Sequence, residues 1–319
     1  MNLLVTGGCG FIGSNFIENV IDKKQVQKLV NVDCLSYAGS LENTKRIYNH
    51  PKYLLEEYNL SCYGKVYDTF YKHDITHVVH LAAETHVDNS ILDADAFLSA
   101  NVLGTHNLLK AALKFKTQRF HHVSTDEVYG HLNIGDDKFS ESTPYDPRNP
   151  YSASKAASDF LVRSYFYTHN LPITISNCSN NYGPNQHKEK FMPTVINSIL
   201  NEASIPVYGK GDNIRDWIYV SDHCNAIWKI LKKGKVGETY LVGSNCEKTN
   251  LEIIYEICKI LKKNPDDFIS FVKDRLGHDF RYAIDSSKLT KKLKWKPKTT
   301  LRKGLLKTIK HYENNEAQF

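Results

Sequence analysis

Residues 2–6 (NLLVT) run apolar straight into Gly7-Gly8-Cys9-Gly10-Phe11-Ile12-Gly13, with an amphipathic segment from Ser14 to about Ile21 behind them. Strand, glycine turn and helix in that order constrain the fold more than any other stretch. Glycines at i, i+3 and i+6 let the chain turn sharply and let the backbone approach a pyrophosphate, while the helix start offers unbonded N–H groups and a positive dipole end. A second apolar strand, KLVNVD, ends in Asp33. That is about twenty positions past the last glycine, where a carboxylate binds adenosine ribose hydroxyls and repels a 2′-phosphate. The spacing predicts a dinucleotide site that prefers NAD to NADP. The plainer alternative is a tight turn with a surface aspartate.

The pattern continues with a helix near residues 42–48, a polar strand at 53–60, a helix over 64–73 and the buried strand HVVHLAAET. A helix over 93–114 then leads to a fifth strand, RFHHVST. Strands alternating with helices predict an α/β chain built on a Rossmann-type doubly wound parallel sheet with right-handed crossovers. Ligand belongs at the carboxyl ends of such strands. Ala82, Ala83, Glu84 and Thr85 should therefore line the cleft, with His86 and Asp88 at its rim. The fifth strand brings Thr125, Asp126 and Glu127 to the same edge.

Tyr151-Ser-Ala-Ser-Lys155 opens a long helix reaching about residue 167. Tyrosine and lysine at i and i+4 share a face. An ammonium below the phenol, beside a positive nicotinamide, should lower a pKa that is normally about 10. YxxxK alone is a common accident of salt-bridging helices; the strand end at Ser124-Thr125 and the glycine fingerprint make it chemical.

Another buried strand, PITISNC, ends in Ser179-Asn180-Asn181-Tyr182-Gly183-Pro184, after which the alternation loses regularity. PVYGKGDNIRDWIYVSDH mixes extended pieces with turns, helices follow at 222–232 and 250–262, and TYLVGS reads as an addition to the main sheet. The expected division is a dinucleotide domain (1–178 plus about 214–246) and a smaller C-terminal α/β substrate domain (about 179–213 and 247–319). In the latter, Lys190, Arg215, Arg275 and His278 are the cations available to an anionic substrate, with Asn180 and Asn250 as neutral donors. Residues 313–319 read as a frayed tail.

Composition excludes some other classes. The 319 residues are 41% hydrophobic and 24% charged, with a net charge of +6. The lysine pairs are scattered, so solvated helix faces fit better than a nucleic-acid footprint. Seven cysteines without a CxxC pair suggest free thiols in a reducing cytoplasm, with no disulfides and no metal site. No run approaches a membrane span, and no leader pattern opens the chain.

The strings TGGCGFIGS, DCLSYAGS, LAAETHVDNS, STDEVYG, NPYSASK, SNNYGPNQHKEK, PVYGKGDNIRDWIYVSDH and KDRLGHDFRYAID span essentially the whole chain. Through them the sequence resembles the extended short-chain dehydrogenase/reductases and, within these, the dTDP-glucose 4,6-dehydratases of bacterial rhamnose synthesis. The Thr125-Asp126-Glu127 triplet is the most diagnostic, because epimerases of the same group share the glycine loop and YxxxK but lack the paired acids.

The resemblance implies a lyase that oxidises, dehydrates and reduces a sugar nucleotide with NAD. Tyr151 would be the base on the C4 hydroxyl, Lys155 would hold the nicotinamide ribose, and Thr125 would bond the same hydroxyl. Glu127 would remove the C5 proton, and protonated Asp126 would donate to the departing C6 hydroxyl. Gly7, Gly10, Phe11, Ile12, Gly13, Asp33, Cys34, Leu35, Ser36, Asn59, Leu60, Leu81, Ala82, Ala83, Thr85 and Asn181 match the NAD contacts, with Tyr151 and Lys155. Thr85, His86, Thr125, Asn180, Glu189, Lys190, Pro206, Val207, Tyr208, Arg215, Asn250, Arg275 and His278 match the sugar-nucleotide contacts. A homodimer through the two long helices is implied too.

Departures from the family pattern are Asn59-Leu60 for Asp-Ile, Ala100 for Thr, Thr85 and Asn89 for Ser and Arg, and Leu276 for Pro. THVDNS is a spelling associated with UDP-glucose dehydratases, so the same chemistry on UDP-glucose is the first alternative. A 4-epimerase and a non-enzymatic Rossmann scaffold binding nucleic acid are the others.

Overall fold

The computed structural model describes residues 1–274 and 277–314. Arg275, Leu276 and residues 315–319 of the expected tail lie outside them.

Strand β1 (Asn2–Thr6) is followed by helix α1 (Phe11–Val20), β2 (Lys28–Asp33), β3 (Tyr53–Glu57), α2 (Tyr63–His73) and β4 (His77–His80). Short helices α3 (Val87–Leu92) and α4 (Asp95–Phe97) then lead through a π-helical stretch (Leu98–Leu103) into α5 (Gly104–Lys114). Next come β5 (Arg119–Thr125), α6 (Pro150–His169) and β6 (Ile173–Cys178). These strands form one sheet in the order β3-β2-β1-β4-β5-β6, and β10 (Thr239–Val242) adds a seventh strand beside β6. Every pairing in it is parallel. Both faces are covered, as all-parallel sheets require. Phe70, Leu108, Phe120 and Val162 fill one side, and Phe16, Ile17, Val220 and Ile227 fill the other.

The second lobe draws on β7 (Asn180–Tyr182), α7 (Phe191–Leu200), β8 (Ile205–Tyr208), β9 (Ile214–Tyr219), β11 (Glu247–Thr249), α9 (Asn250–Leu261) and β12 (Ile269–Val272). Helix α11 (Leu301–Glu313) completes it. Helix α8 (Val220–Lys233) instead packs on α1, and α10 (Ser287–Leu293) on β10. Small sheets β11-β9-β7 and β12-β8 hold the lobe, around a core of Tyr182, Ile196, Trp217, Ile254 and Leu305.

Several expected elements change. The helix near 42–48 is a single 3₁₀ turn, Leu41–Thr44. Thr44 Oγ1 bonds the Leu41 carbonyl at 3.1 Å and Asn43 Nδ2 the Cys9 carbonyl at 2.8 Å, so side chains compete with helical continuation. The strand at 53–60 stops at Glu57, because the Asn59 side chain accepts the Ser61 N–H at 2.9 Å and turns the chain. The helix over 93–114 is interrupted by its π-helical stretch, where the Asn101 carbonyl accepts the Thr105 and Ser158 hydroxyls at 2.5 and 2.7 Å. Helix α6 runs longer than expected; Pro150 at its start and an Asn149–Ser152 capping box fix its N-terminus. Among the described residues no helix is long and apolar enough to cross a membrane. All seven cysteines are free thiols.

Candidate active site

At the carboxyl ends of β1, β2 and β4 the glycine loop closes one half of a cleft. Gly7 has φ +70°, and a Cβ there would stand 2.7 Å from the Ala82 backbone, so loop and strand end meet backbone to backbone. Gly13 is tighter still: its Cβ would lie 2.1 Å from the Gly7 carbonyl oxygen. Helix α1 begins at Gly10 with neither a side-chain cap nor an acid in its first turn, which leaves its N–H groups to an anion. Asp33 Oδ2 accepts the Cys9 N–H at 2.8 Å and Oδ1 the Leu35 N–H at 2.9 Å. Burial pushes its carboxyl up, and those backbone bonds oppose the shift.

Phe11, Ile12, Cys34, Ser36, Asn59, Leu60, Leu81, Ala82, Ala83, Thr85 and Asn181 continue the wall. Leu35 does not line it; its φ of +51° aims its N–H at Asp33. The cradle of unbranched backbone, an uncapped helix start and a carboxylate at the second strand's end fits a dinucleotide. Tyr37, Ala96, Ser99, Gln186 and His187 also line the cleft and were not anticipated. Tyr37 and Gln186 sit inside strings that the sequence offered, but no periodicity turned them inward.

The other half carries Thr125, Asp126, Glu127, Tyr151 and Lys155 together on the same cleft. Thr125 ends β5 and caps the turn Asp126–Tyr129, its Oγ1 accepting the Glu127 N–H at 3.2 Å. Asp126 is 2% exposed. Burial first, then the charges of Glu127 and Asp216, push its carboxyl well above the carboxylate range, while Arg215 opposes them. Its environment therefore favours the protonated acid.

Tyr151 reverses the expected direction within the protein's own groups. Burial, then Glu127 and Cys178, push the phenol well above its ordinary value, with the bond to Thr125 opposing. Lys155 directs its ammonium to the Val123 carbonyl at 3.0 Å. Burial lowers the Lys155 pKa, against the attraction of Asp159 and Cys178.

The sugar-nucleotide candidates divide. Asn180 and Lys190 line the cleft with Thr125, Asp126, Glu127, Tyr151 and Lys155. Lys190 Nζ donates to the Thr85 carbonyl at 3.1 Å, which ties the loop before α7 to the end of β4. Glu189 stands 3.7 Å from His86 and 3.8 Å from Lys190 on that loop. Neither His86 nor Glu189 lines the cleft itself.

Pro206, Val207, Tyr208, Arg215, Asn250 and His278 lie in the second lobe, outside the cleft lining. Val207 is buried and Tyr208 faces outward, edge-on to His278 with ring centroids 6.3 Å apart. Arg215 donates to the carbonyls of Ile214, Phe280 and Asp279. The Asn250 backbone N–H donates to the Asn213 carbonyl at 3.1 Å. Arg275 lies outside the described residues.

Comparison with known proteins gives a consistent relationship over the full length. A family model described as GDP-mannose 4,6 dehydratase matches residues 4–308. The dTDP-glucose 4,6-dehydratase of Haemophilus influenzae is 44% identical over 99% of both chains. That of Mycolicibacterium smegmatis is 46% identical over 99% of this chain and 95% of its own. Among solved structures, the dTDP-glucose 4,6-dehydratase of Streptomyces venezuelae with NAD bound superposes with a TM-score of 0.96. It is 36% identical and covers 100% of this chain and 99% of its own. The UDP-glucose 4-epimerase of Thermotoga maritima shares the fold at 26% identity and a TM-score of 0.92, over 99% of this chain and 100% of its own.

Proposed function

We propose, since this chain belongs to the dTDP-glucose 4,6-dehydratase family, that it converts dTDP-glucose to dTDP-4-keto-6-deoxyglucose and water. It is an NAD-dependent hydro-lyase. The observation that carries this reading is the meeting of Thr125, Asp126, Glu127, Tyr151 and Lys155 on the cleft that the glycine loop closes. A 4-epimerase has no use for the adjacent acids, and a nucleic-acid scaffold has no use for any of the five.

NAD, which the glycine loop, Asp33 and Lys155 would hold, would supply the acceptor for the C4 hydride and its donor to C6 after elimination, with the C5 proton coming back from Glu127. Tyr151 takes the proton of the C4 hydroxyl, with Thr125 bonding the same oxygen. Since burial and Glu127 hold the phenol protonated, the positive nicotinamide and the Lys155 ammonium are the charges that favour phenolate. The ketone formed at C4 acidifies the C5 hydrogen, which Glu127 removes. Asp126, kept protonated by burial and by its acidic neighbours, gives its proton to the leaving C6 hydroxyl. One acid must be charged while the other is neutral, and adjacent carboxyls drive their pKa values apart.

Asn180, Glu189, Lys190, Arg215, Asn250, Arg275 and His278 are assigned to the sugar nucleotide, with Pro206, Val207 and Tyr208 at its base and Thr85 and His86 near the sugar. The division proposed is an NAD domain of residues 1–178 with about 214–246, of which β9 pairs instead with strands of the other lobe, and a substrate domain of about 179–213 with 247–319. Leu98 and Leu103 on the π-helical stretch before α5, with Phe160 and Tyr167 on α6, all exposed large apolar side chains, fit a homodimer face, to be checked by light scattering. A cytoplasmic location fits the free thiols.

The test is incubation with dTDP-glucose and with UDP-glucose in separate tubes, without added NAD. A 4-keto product absorbing in alkali is expected with dTDP-glucose, at a rate well above that with UDP-glucose. Faster turnover of UDP-glucose would reassign the base, and a product without the 4-keto group would remove the dehydratase reading.

Gly13→Ala is expected to weaken NAD binding. Its Cβ would press on the Gly7 carbonyl, and overpacking of about 1–3 kcal/mol corresponds to roughly a 5- to 150-fold loss in NAD affinity. Isothermal titration with NAD reads it directly.

A further inference from the structure

Four residues beyond Lys155, helix α6 buries a second charged side chain. Asp159 is 0% exposed, and its spacing puts it on the helix face that carries Lys155. Its Oδ2 accepts the Tyr145 hydroxyl at 2.7 Å and Asn177 Nδ2 at 3.0 Å. His122 Nε2 stands 3.1 Å from its Oδ1. The same Asn177 amide donates to the Thr125 carbonyl at 3.1 Å. Asp159 therefore acts on both ends of the reacting set: on the lysine by charge across one helical turn, and on the threonine through one shared amide.

The surroundings indicate which cation balances it. A lone buried carboxylate is costly, so it needs a cation or a dense set of donors. On β5, burial pushes His121 down to about 3 and lowers His122, where the neighbouring Asp159 opposes the shift, and His80 on β4 is pushed down by burial too. Arg163 is engaged at the far side, donating to the Tyr145 hydroxyl at 2.9 Å. Tyr129 and Cys178 face the cluster as neutral groups, their protons held by burial. Beyond Thr125 lie Tyr151, Asp126 and Glu127, which add no positive charge. Burial raises the Asp159 carboxyl, while His122 beside it first and the Lys155 charge next bring it below its ordinary value; among the described residues Lys155 is the cation one turn back on its own helix face.

We propose that Asp159 is a positioning residue that keeps Lys155 charged and holds the Thr125 end of β5 through Asn177. The inference rests on the roles given to Lys155 and Thr125 above. Asp159 touches neither substrate nor cofactor and acts through those two residues.

Asp159→Asn keeps the shape and removes the charge. An opposite charge nearby shifts a pKa by about 1–3 units, so Lys155 should lose its proton at a pH lower by about that much. Two readouts follow it. In protein labelled with ¹³C at the lysine Cε, with Lys155→Met identifying the resonance, the Lys155 titration midpoint falls in Asp159→Asn and returns in Asp159→Glu. In dTDP-glucose turnover the basic limb of kcat moves the same way, so that the loss grows about tenfold for each pH unit above it, while KM changes less than threefold. A Lys155 midpoint that does not move, with kcat lowered equally at every pH, would reduce Asp159 to packing and overturn the proposal.

If Asp159→Asn does not fold, Tyr145→Phe serves. It removes one donor from the charged carboxylate, so in protein labelled with ¹³C at the aspartate Cγ the Asp159 titration midpoint should rise, and an Asp159 found protonated at neutral pH in the unaltered protein is equally fatal. The labelled-lysine titration needs no turnover. Absence of 4-keto product from the unaltered protein would therefore sink the dehydratase reading alone.

Discussion

Tyr151→Phe is expected to lower kcat for dTDP-glucose by about 10²–10⁴-fold, the usual worth of a positioned acid–base group, with KM and bound NAD little changed. The ring is buried and meets Phe97 edge-on at 6.3 Å, and phenylalanine keeps that packing while removing only the hydroxyl. The protein's own groups push the phenol's pKa up, burial foremost and Glu127 next. A base must be deprotonated to act, so the rate of the unaltered enzyme should climb with pH through the Tyr151 titration. The acid limb of the profile belongs to that group and should vanish in the variant. A variant with lowered kcat but the same acid limb would place the base on another residue.

The second large effect separates the two acids. Asp126→Asn and Glu127→Gln should each retain NAD and substrate yet lose dehydration by about 10²–10⁴-fold, with reduced nicotinamide absorbance building up because oxidation at C4 no longer leads to elimination. Full turnover by either variant would remove its assigned role. Asp126→Asn carries a stability signature as well. The folded-state pKa of Asp126 is raised, by burial first and by Glu127 and Asp216 after it. The folded protein thus binds that proton more tightly than the unfolded chain. Its stabilising contribution is complete below the ordinary carboxylate pKa and declines as pH rises towards the folded value. Asparagine has no such decline. The melting temperature of the variant, compared with the parent, should gain steadily from acid to neutral pH.

The sheet was legible because its strands are nearly continuous apolar runs and its glycines sit where only an unbranched backbone fits, as Gly7 against Ala82 and Gly13 against Gly7 make plain. Thr125, Asp126, Glu127, Tyr151 and Lys155 were legible because βα order alone delivers them to one sheet edge. What escaped depends on contacts between distant segments. The π-helical stretch at Leu98–Leu103 exists because Asn101 reaches back to the Glu84 backbone and across to Ser154, partners 17 and 53 residues away. The desolvation that raises the Tyr151 phenol was not legible, because spacing puts a lysine on its face but says nothing of the burial around it. Nothing in the sequence singles out Asp159, whose role depends on His122, Tyr145 and Asn177 closing round it. Helix α11 was passed over although Leu305, Ile309 and Tyr312 lie at helical spacing and are buried.

The seventh strand of the main sheet has a further consequence. β10 pairs with Ile175–Cys178 of β6, yet it follows β7, β8 and β9 of the other lobe in the chain. A ribosome therefore releases the catalytic edge incomplete, with the β6 flank open to stray pairing until some sixty further residues have emerged. Neither lobe is a contiguous gene segment, so shuffling substrate specificities between relatives requires two matched cuts on either side of β10. A fragment ending near residue 178 would offer a bare, apolar strand to its neighbours and should precipitate.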